Sequence, residues 1–219
     1  MRPATHGAAA LTAPEQNPEA TTLVPSQRRL QRPPDFTGDR LTRFRQVFLR
    51  HGLPIALLAG LSLGVPEVRG LMLSALAGFL SAPLEYLAIG LLLGAAMIVY
   101  AYVLDRRLSA AAIGWMLYLL AVSAWEEVFF RLIVPYYGHA QGLDLRALII
   151  ASNVAFGALH YFTLRWKWPW CVAAFLGGMA LSRNLDQNFD LALVIALHWV
   201  ATFINTPRMP GQKLRAGGA

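Results

Sequence analysis

The sequence predicts an all-α protein, a polytopic transmembrane helical bundle of about six spans. Three observations predict it. The 219 residues are 56% hydrophobic and only 14% charged, whereas a soluble domain carries about a quarter charged residues. The mean hydropathy is +0.46. The apolar residues fall in long runs parted by short basic, polar or proline-containing gaps, and a crossing needs about 20 apolar residues, fewer where protein shields the ends.

Residues 1–50 hold eight Arg and four acidic residues among many Pro and Thr, with no apolar core of the secretory type. Such a segment buries too little apolar surface to order itself. It is predicted to be a flexible basic arm, with Arg40, Arg43, Arg45 and Arg50 resting on anionic headgroups. A membrane domain over 51–206 and a tail over 207–219 follow. The first apolar region, 53–83, is interrupted by Pro66, Glu67 and Arg69. It reads as one broken span, or as a short span with an interfacial helix. The second run, 84–104, ends at Asp105-Arg106-Arg107, and the third, 109–134, stops at Pro135. The fourth, 145–164, ends at Arg165 and Lys167, with Pro169 opening the fifth at 170–182. The sixth, 191–204, precedes Pro207.

The net charge of +7 and the pI near 10.1 do not mark a nucleic-acid binder here. The basic residues lie in the arm and in alternate gaps, as positive-inside membrane proteins distribute them. With the first region as one crossing, Arg106/Arg107, Arg165/Lys167 and the tail with Arg208, Lys213 and Arg215 share the arm's side. The opposite gaps, 136–144 and 183–190, hold only Arg183 against three Asp. Both termini are therefore expected in the cytoplasm, and the bacterial inner membrane is the expected location. Tyr136 and Tyr137, and the cluster Tyr161, Trp166, Trp168 and Trp170, suit the headgroup layers. Gly177 and Gly178 let a neighbouring backbone approach. The single cysteine, Cys171, excludes an internal disulfide and a Cys-based metal cluster. No internal repeat is evident, which weighs against an inverted-repeat transporter.

The third run contains Trp125-Glu126-Glu127-Val128-Phe129-Phe130-Arg131. Each charge at mid-bilayer costs ~2.5–3.5 kcal/mol on insertion scales, so the cluster needs compensation. Glu127 and Arg131 share a helix face at i,i+4 and can pair. Glu126, rotated by about 100° from Glu127, has no intrahelical cation. The fourth run brings His160 and the sixth brings His198, and an imidazole in an apolar helix needs a partner. Singly, Glu127–Arg131 reads equally as a structural pair, His160 as an interfacial histidine and His198 as a packed one. Jointly they point to one polar cavity. Counted at ~1.5 Å per residue, Glu126 and His160 differ in depth by several Å, which tilt, a displaced third helix or a different topology would explain.

These residues resemble the CAAX-protease and bacteriocin-processing family, also called the Abi family, of glutamate-type intramembrane proteases. Glu126, Glu127 and Arg131 match its EExxxR motif, and Phe156 and His160 match FxxxH. The stretch 175–181 looks like its small-residue helix. The family's last motif is a histidine with Asn or Asp four residues on. Here His198 is followed by Thr202, and Asn205 lies back on the same face three residues later. The resemblance covers roughly residues 84–206.

The resemblance implies an endopeptidase acting on a membrane-associated protein or peptide, in contact with the bilayer and needing no cofactor. Glu126 and His160 would activate a water. His198, with Asn205 or Thr202, would face the oxyanion, and Glu127 with Arg131 would hold the helix. The rivals are a zinc protease using the same Glu and His residues, weakened by the absence of HExxH and by histidines distant in sequence, and a non-catalytic immunity or scaffold protein of the same fold. A proton-coupled transporter fits less well.

Overall fold

The structure is a computed structural model that describes residue 41 and residues 43–210. Most of the predicted arm, Arg40 included, and the part of the tail with Lys213 and Arg215 lie outside the described residues. The described residues form helices and no strand. Helix α1 spans Phe44–Ser62, with a π turn at Phe48–Gly52. It is followed by α2 (Pro66–Ala75), a short α3 (Ala77–Ser81) and α4 (Pro83–Asp105). Helix α5 starts as an α-helix over Ala110–Glu126, widens to a π-helix over Glu127–Tyr137 and closes with the turn Gly138–Ala140. Then come α6 (Leu145–Thr163), α7 (Trp168–Asn188) and α8 (Leu191–Asn205).

Local chemistry sets these boundaries. Pro66, Pro83 and Pro169 sit in first turns, where a missing N–H costs nothing. Ser109, Asp144 and Asp190 accept from the backbone N–H of Ala112, Ala147 and Leu193, and these are N-caps of α5, α6 and α8. Helicity begins at Phe44, inside the stretch read from sequence as the arm. The Phe44 and Phe48 rings meet Tyr118 of α5 at 4.9 and 6.4 Å between centroids, contacts that composition alone did not reveal. Arg50 is not left to headgroups. Its Nε and Nη2 donate to the carbonyls of Thr163 and Phe162 at 3.1 and 2.9 Å, covering last-turn acceptors of α6.

The region 53–83, read from sequence as one broken span or a short span with an interfacial helix, does break. Helices α1 and α2 meet at a 106° bend, as a broken span or a re-entrant loop. By length and composition, α4 and α6 are each able to cross a membrane, and the α1–α2 pair adds a third candidate if it is one span. Helix α8 is apolar but has 15 residues. The six crossings expected from sequence are thus not reached by this measure, while the helical bundle is. The predicted fifth run also grows, from 170–182 to the 21 residues of α7. Helix α4 turns its large side chains outward, with Leu84, Leu91 and Leu92 highly exposed, as a lipid-facing helix does.

The largest departure lies at Pro135. The helix expected to stop there continues to Tyr137 and beyond. In an α-helix the proline ring clashes with the carbonyl four residues back. A π-helix bonds five residues back, so the acceptor that Pro135 fails to serve is the carbonyl of Phe130. The Ser152 hydroxyl of α6 donates to that carbonyl at 2.5 Å. The defect made by Pro135 is therefore mended from a neighbouring helix. Ser152→Ala is expected to strand a buried carbonyl at about 1–3 kcal/mol, read as a lower unfolding midpoint in detergent. A Pro135→Ala background, which restores the local donor, should make the same change nearly neutral.

The packed interior lies between α1, α2, α5, α7 and α8, with Ala59, Val68, Leu132, Leu185 and Val194 buried together. A second cluster joins α4, α5 and α8 through Met97, Trp115, Met116, Trp199 and Phe203. Gly157 brings α6 against α7 so closely that a Cβ there would lie 2.8 Å from the Cys171 carbonyl. Of the two glycines singled out in sequence, Gly178 is the crowded one, against Asn153 and Arg131, while Gly177 faces open space.

Candidate functional site

The two widened stretches of backbone carry the polar cluster. Glu126 ends the α part of α5, and Glu127 and Arg131 lie in its π part. His51 lies in the π turn of α1. Such departures from α geometry occur often at functional sites. Glu126, Glu127 and Arg131 are 2%, 0% and 1% exposed, so none is an interfacial residue. Because α5 runs past Pro135, Glu126 sits further from that end of its helix than the sequence count assumed. This removes the depth mismatch with His160.

Three of the chain's five histidines converge on Glu126. His51 Nε2 is 2.8 Å from Glu126 Oε1. His160 Nε2 is 3.9 Å from the same oxygen, and His198 Nε2 is 3.7 Å from Oε2. The other nitrogen of each ring is anchored. Thr163 donates its hydroxyl proton to Leu159 O at 2.6 Å, so its oxygen accepts from His51 Nδ1 at 2.9 Å. His160 Nδ1 donates to the Phe156 carbonyl at 2.8 Å. His198 Nδ1 donates to Glu127 Oε1 at 2.6 Å. All three rings are thereby oriented with Nε2 toward one carboxylate.

Glu127 and Arg131 pair as their spacing predicts, with Nε 3.5 Å from Oε2. The guanidinium carbon lies 3.8 Å from the centroid of the Phe156 ring, a cation–π contact. Phe156 also meets the rings of His160 and His198 at 4.5 and 5.8 Å. The phenylalanine of the FxxxH match is therefore a platform beneath the cluster, supported from behind by Phe130.

A cavity of about 790 Å³ reaches this cluster. Its lining includes His51, Glu126, Arg131, Phe156, His160 and His198, and also the basic residues Arg165, Lys167 and Arg208. Trp166 meets His160 at 4.6 Å between centroids with the ring planes tilted, and joins the lining. Trp168 and Trp170 are exposed at 69% and 60%. Thr202 and Asn205 both line the cavity. Asn205 is exposed near the end of α8, seven residues or ~10 Å along the axis from His198, and Thr202 is nearer.

Sequence reasoning missed His51, Thr163 and Ser152. His51 stands at the boundary between arm and first apolar run, where an imidazole carries no periodic signal. Its one sequence cue is that it is, with His160 and His198, among the few histidines bordering or inside apolar runs. His51, Glu126 and His160 also form the set among the described residues whose ligand atoms lie within 4.8 Å of one another. The set holds His51, which the sequence reading had not considered, in place of His198.

Residues 107–204 match the model of the Rce1-like family, described as type II CAAX prenyl endopeptidase Rce1-like. The match includes Glu126, Glu127, Arg131, Phe156, His160 and His198, and leaves out His51. No curated protein and no solved structure matches the chain.

Proposed function

We propose, from the match of residues 107–204 to the Rce1-like model and the geometry around Glu126, an endopeptidase that hydrolyses a peptide bond of a membrane-associated protein or peptide with a water activated by Glu126 and His160. One observation carries the reading: a buried carboxylate ringed by imidazoles in the wall of a large cavity. Glu126 Oε1 and His160 Nε2 are 3.9 Å apart, too far for a direct hydrogen bond and near enough to hold one water between them. With His160 Nδ1 committed to Phe156 O, Nε2 offers its lone pair to that water.

The water oxygen attacks the scissile carbonyl carbon as Glu126 takes its proton. The oxyanion so formed accepts from His198 Nε2, whose Nδ1 is held by Glu127; the His198 ring lies between two carboxylates. The Thr202 hydroxyl, closer than Asn205, is the second donor. Collapse breaks the C–N bond, and Glu126 returns its proton to the leaving nitrogen. Arg131 neutralises Glu127 and locks it against Phe156. The basic lining residues Arg165, Lys167 and Arg208 lie on the cytoplasmic side under the positive-inside rule, in the bacterial inner membrane. Substrate then enters from that side.

The direct test compares peptide termini in membranes from wild-type and Glu126→Ala cells. Termini present only in the wild type identify the substrate and its cleaved bond. Identical termini at matched expression of the two proteins would remove the endopeptidase reading and favour a scaffold of the same fold.

A further inference from the structure

We propose that His51, Glu126 and His160 form a zinc site, and that occupation of this site shuts the protease off. The donor set is two imidazoles and one carboxylate, which suits Zn²⁺. Their ligand atoms all lie within 4.8 Å of one another, and all three side chains are buried. A tetrahedral ion with bonds of about 2.0–2.1 Å holds its ligand atoms about 3.4 Å apart. The two Nε2–Oε1 separations, 2.8 and 3.9 Å, bracket that value, so sub-ångström shifts of side chains close the site around an ion.

The surroundings of the set argue further than its composition. A histidine that ligates through one nitrogen almost always donates from the other to a fixed acceptor. His51 does so to Thr163 Oγ1 and His160 to Phe156 O. Both acceptors belong to α6, and the Thr163 hydroxyl is itself fixed by Leu159 O. The His160 Nε2 lone pair therefore points inward before any ion arrives, and His51 Nε2, which meets Glu126 Oε1 at 2.8 Å, gives up the proton of that hydrogen bond to take the ion. The fourth position falls to a water from the cavity that all three residues line. His198 Nε2, 3.7 Å from the second Glu126 oxygen, stands beside the ion as a hydrogen-bonding neighbour.

Occupation has a chemical consequence, which rests on the proposed role of Glu126. An ion on Glu126 Oε1 and His160 Nε2 takes the same lone pairs that hold the attacking water. No base remains in its place, since Glu127 is committed to Arg131 and His198. Because His51 lies outside the family-matched stretch, the ligand that completes the site comes from the chain's own first helix.

The experiment uses the full chain purified in detergent, stripped with a chelator and dialysed, then titrated with zinc chloride against a chromophoric competitor. One zinc per chain is expected. Thr163→Val, which keeps all three ligands, should weaken binding about 10–100-fold. His51→Ala should abolish the site, with the unfolding midpoint of each variant recorded in parallel. Absence of stoichiometric binding, or binding unchanged in folded Thr163→Val and His51→Ala proteins, overturns the site. Cleavage of an identified substrate by the stripped enzyme should fall in step with zinc occupancy and return with chelator. Cleavage that appears only with zinc overturns the shut-off and keeps the site. Zinc bound through His51 in a protein that cleaves nothing under either condition sinks the protease reading and leaves the site standing.

Discussion

Glu126→Gln is expected to lower kcat for cleavage by about 10²–10⁴, the usual worth of a positioned general base, with little change in KM. The amide matches the carboxylate in shape and still offers an oxygen to His51 Nε2, now 2.8 Å away. The variant should therefore insert and fold as the wild type does. The chemistry is lost because an amide oxygen is too weak a base to take the proton of water. The measurement is turnover of a tagged substrate in reconstituted vesicles, together with the unfolding midpoint in detergent. Undiminished turnover in a correctly folded Glu126→Gln protein would show that some other group accepts the proton, and the assignment would fall with it.

His198→Ala is expected to cost about 10²–10³ in kcat, the loss seen when a donor to a developing oxyanion is removed. The effect should appear in kcat and kcat/KM alike, because the bond forms only as negative charge grows on the substrate oxygen. Glu127→Gln should move the same way by less. The new amide keeps an oxygen for His198 Nδ1, which lies 2.6 Å from the present carboxylate, but it no longer balances the buried charge of Arg131. A Glu127→Gln protein more impaired in turnover than His198→Ala, at equal stability, would mean that Glu127 rather than His198 faces the reacting atoms.

The helical class and the polar cluster were legible in the sequence because both rest on local rules. Glu127 with Arg131 follows from a four-residue spacing, and the solitary polar groups of α6 and α8 stand out against apolar runs. The extent of α5 was not legible. Proline stops a helix unless backbone widening and a distant donor compensate, and the Ser152 hydroxyl lies in a different helix. His51 was missed for a related reason. Its importance comes from packing of Phe44 and Phe48 on Tyr118 and from Arg50 capping α6, long-range contacts that draw the start of α1 into the bundle. The close approach at Gly157 was equally hidden, since small residues mark several positions and only the fold decides which one meets a backbone.

The Ser152–Phe130 bond has an effect beyond the stretch of backbone it repairs. Helices joined only by apolar side chains can settle in registers one turn apart, and a turn is about 5.4 Å. A slip of that size between α5 and α6 would carry the His160 ring out of reach of Glu126. Only one axial alignment brings the Ser152 hydroxyl to the acceptor orphaned by Pro135. A proline that looks like an interruption thus acts as a ruler, measuring off the position at which two separate helices must stand for their side chains to share a water.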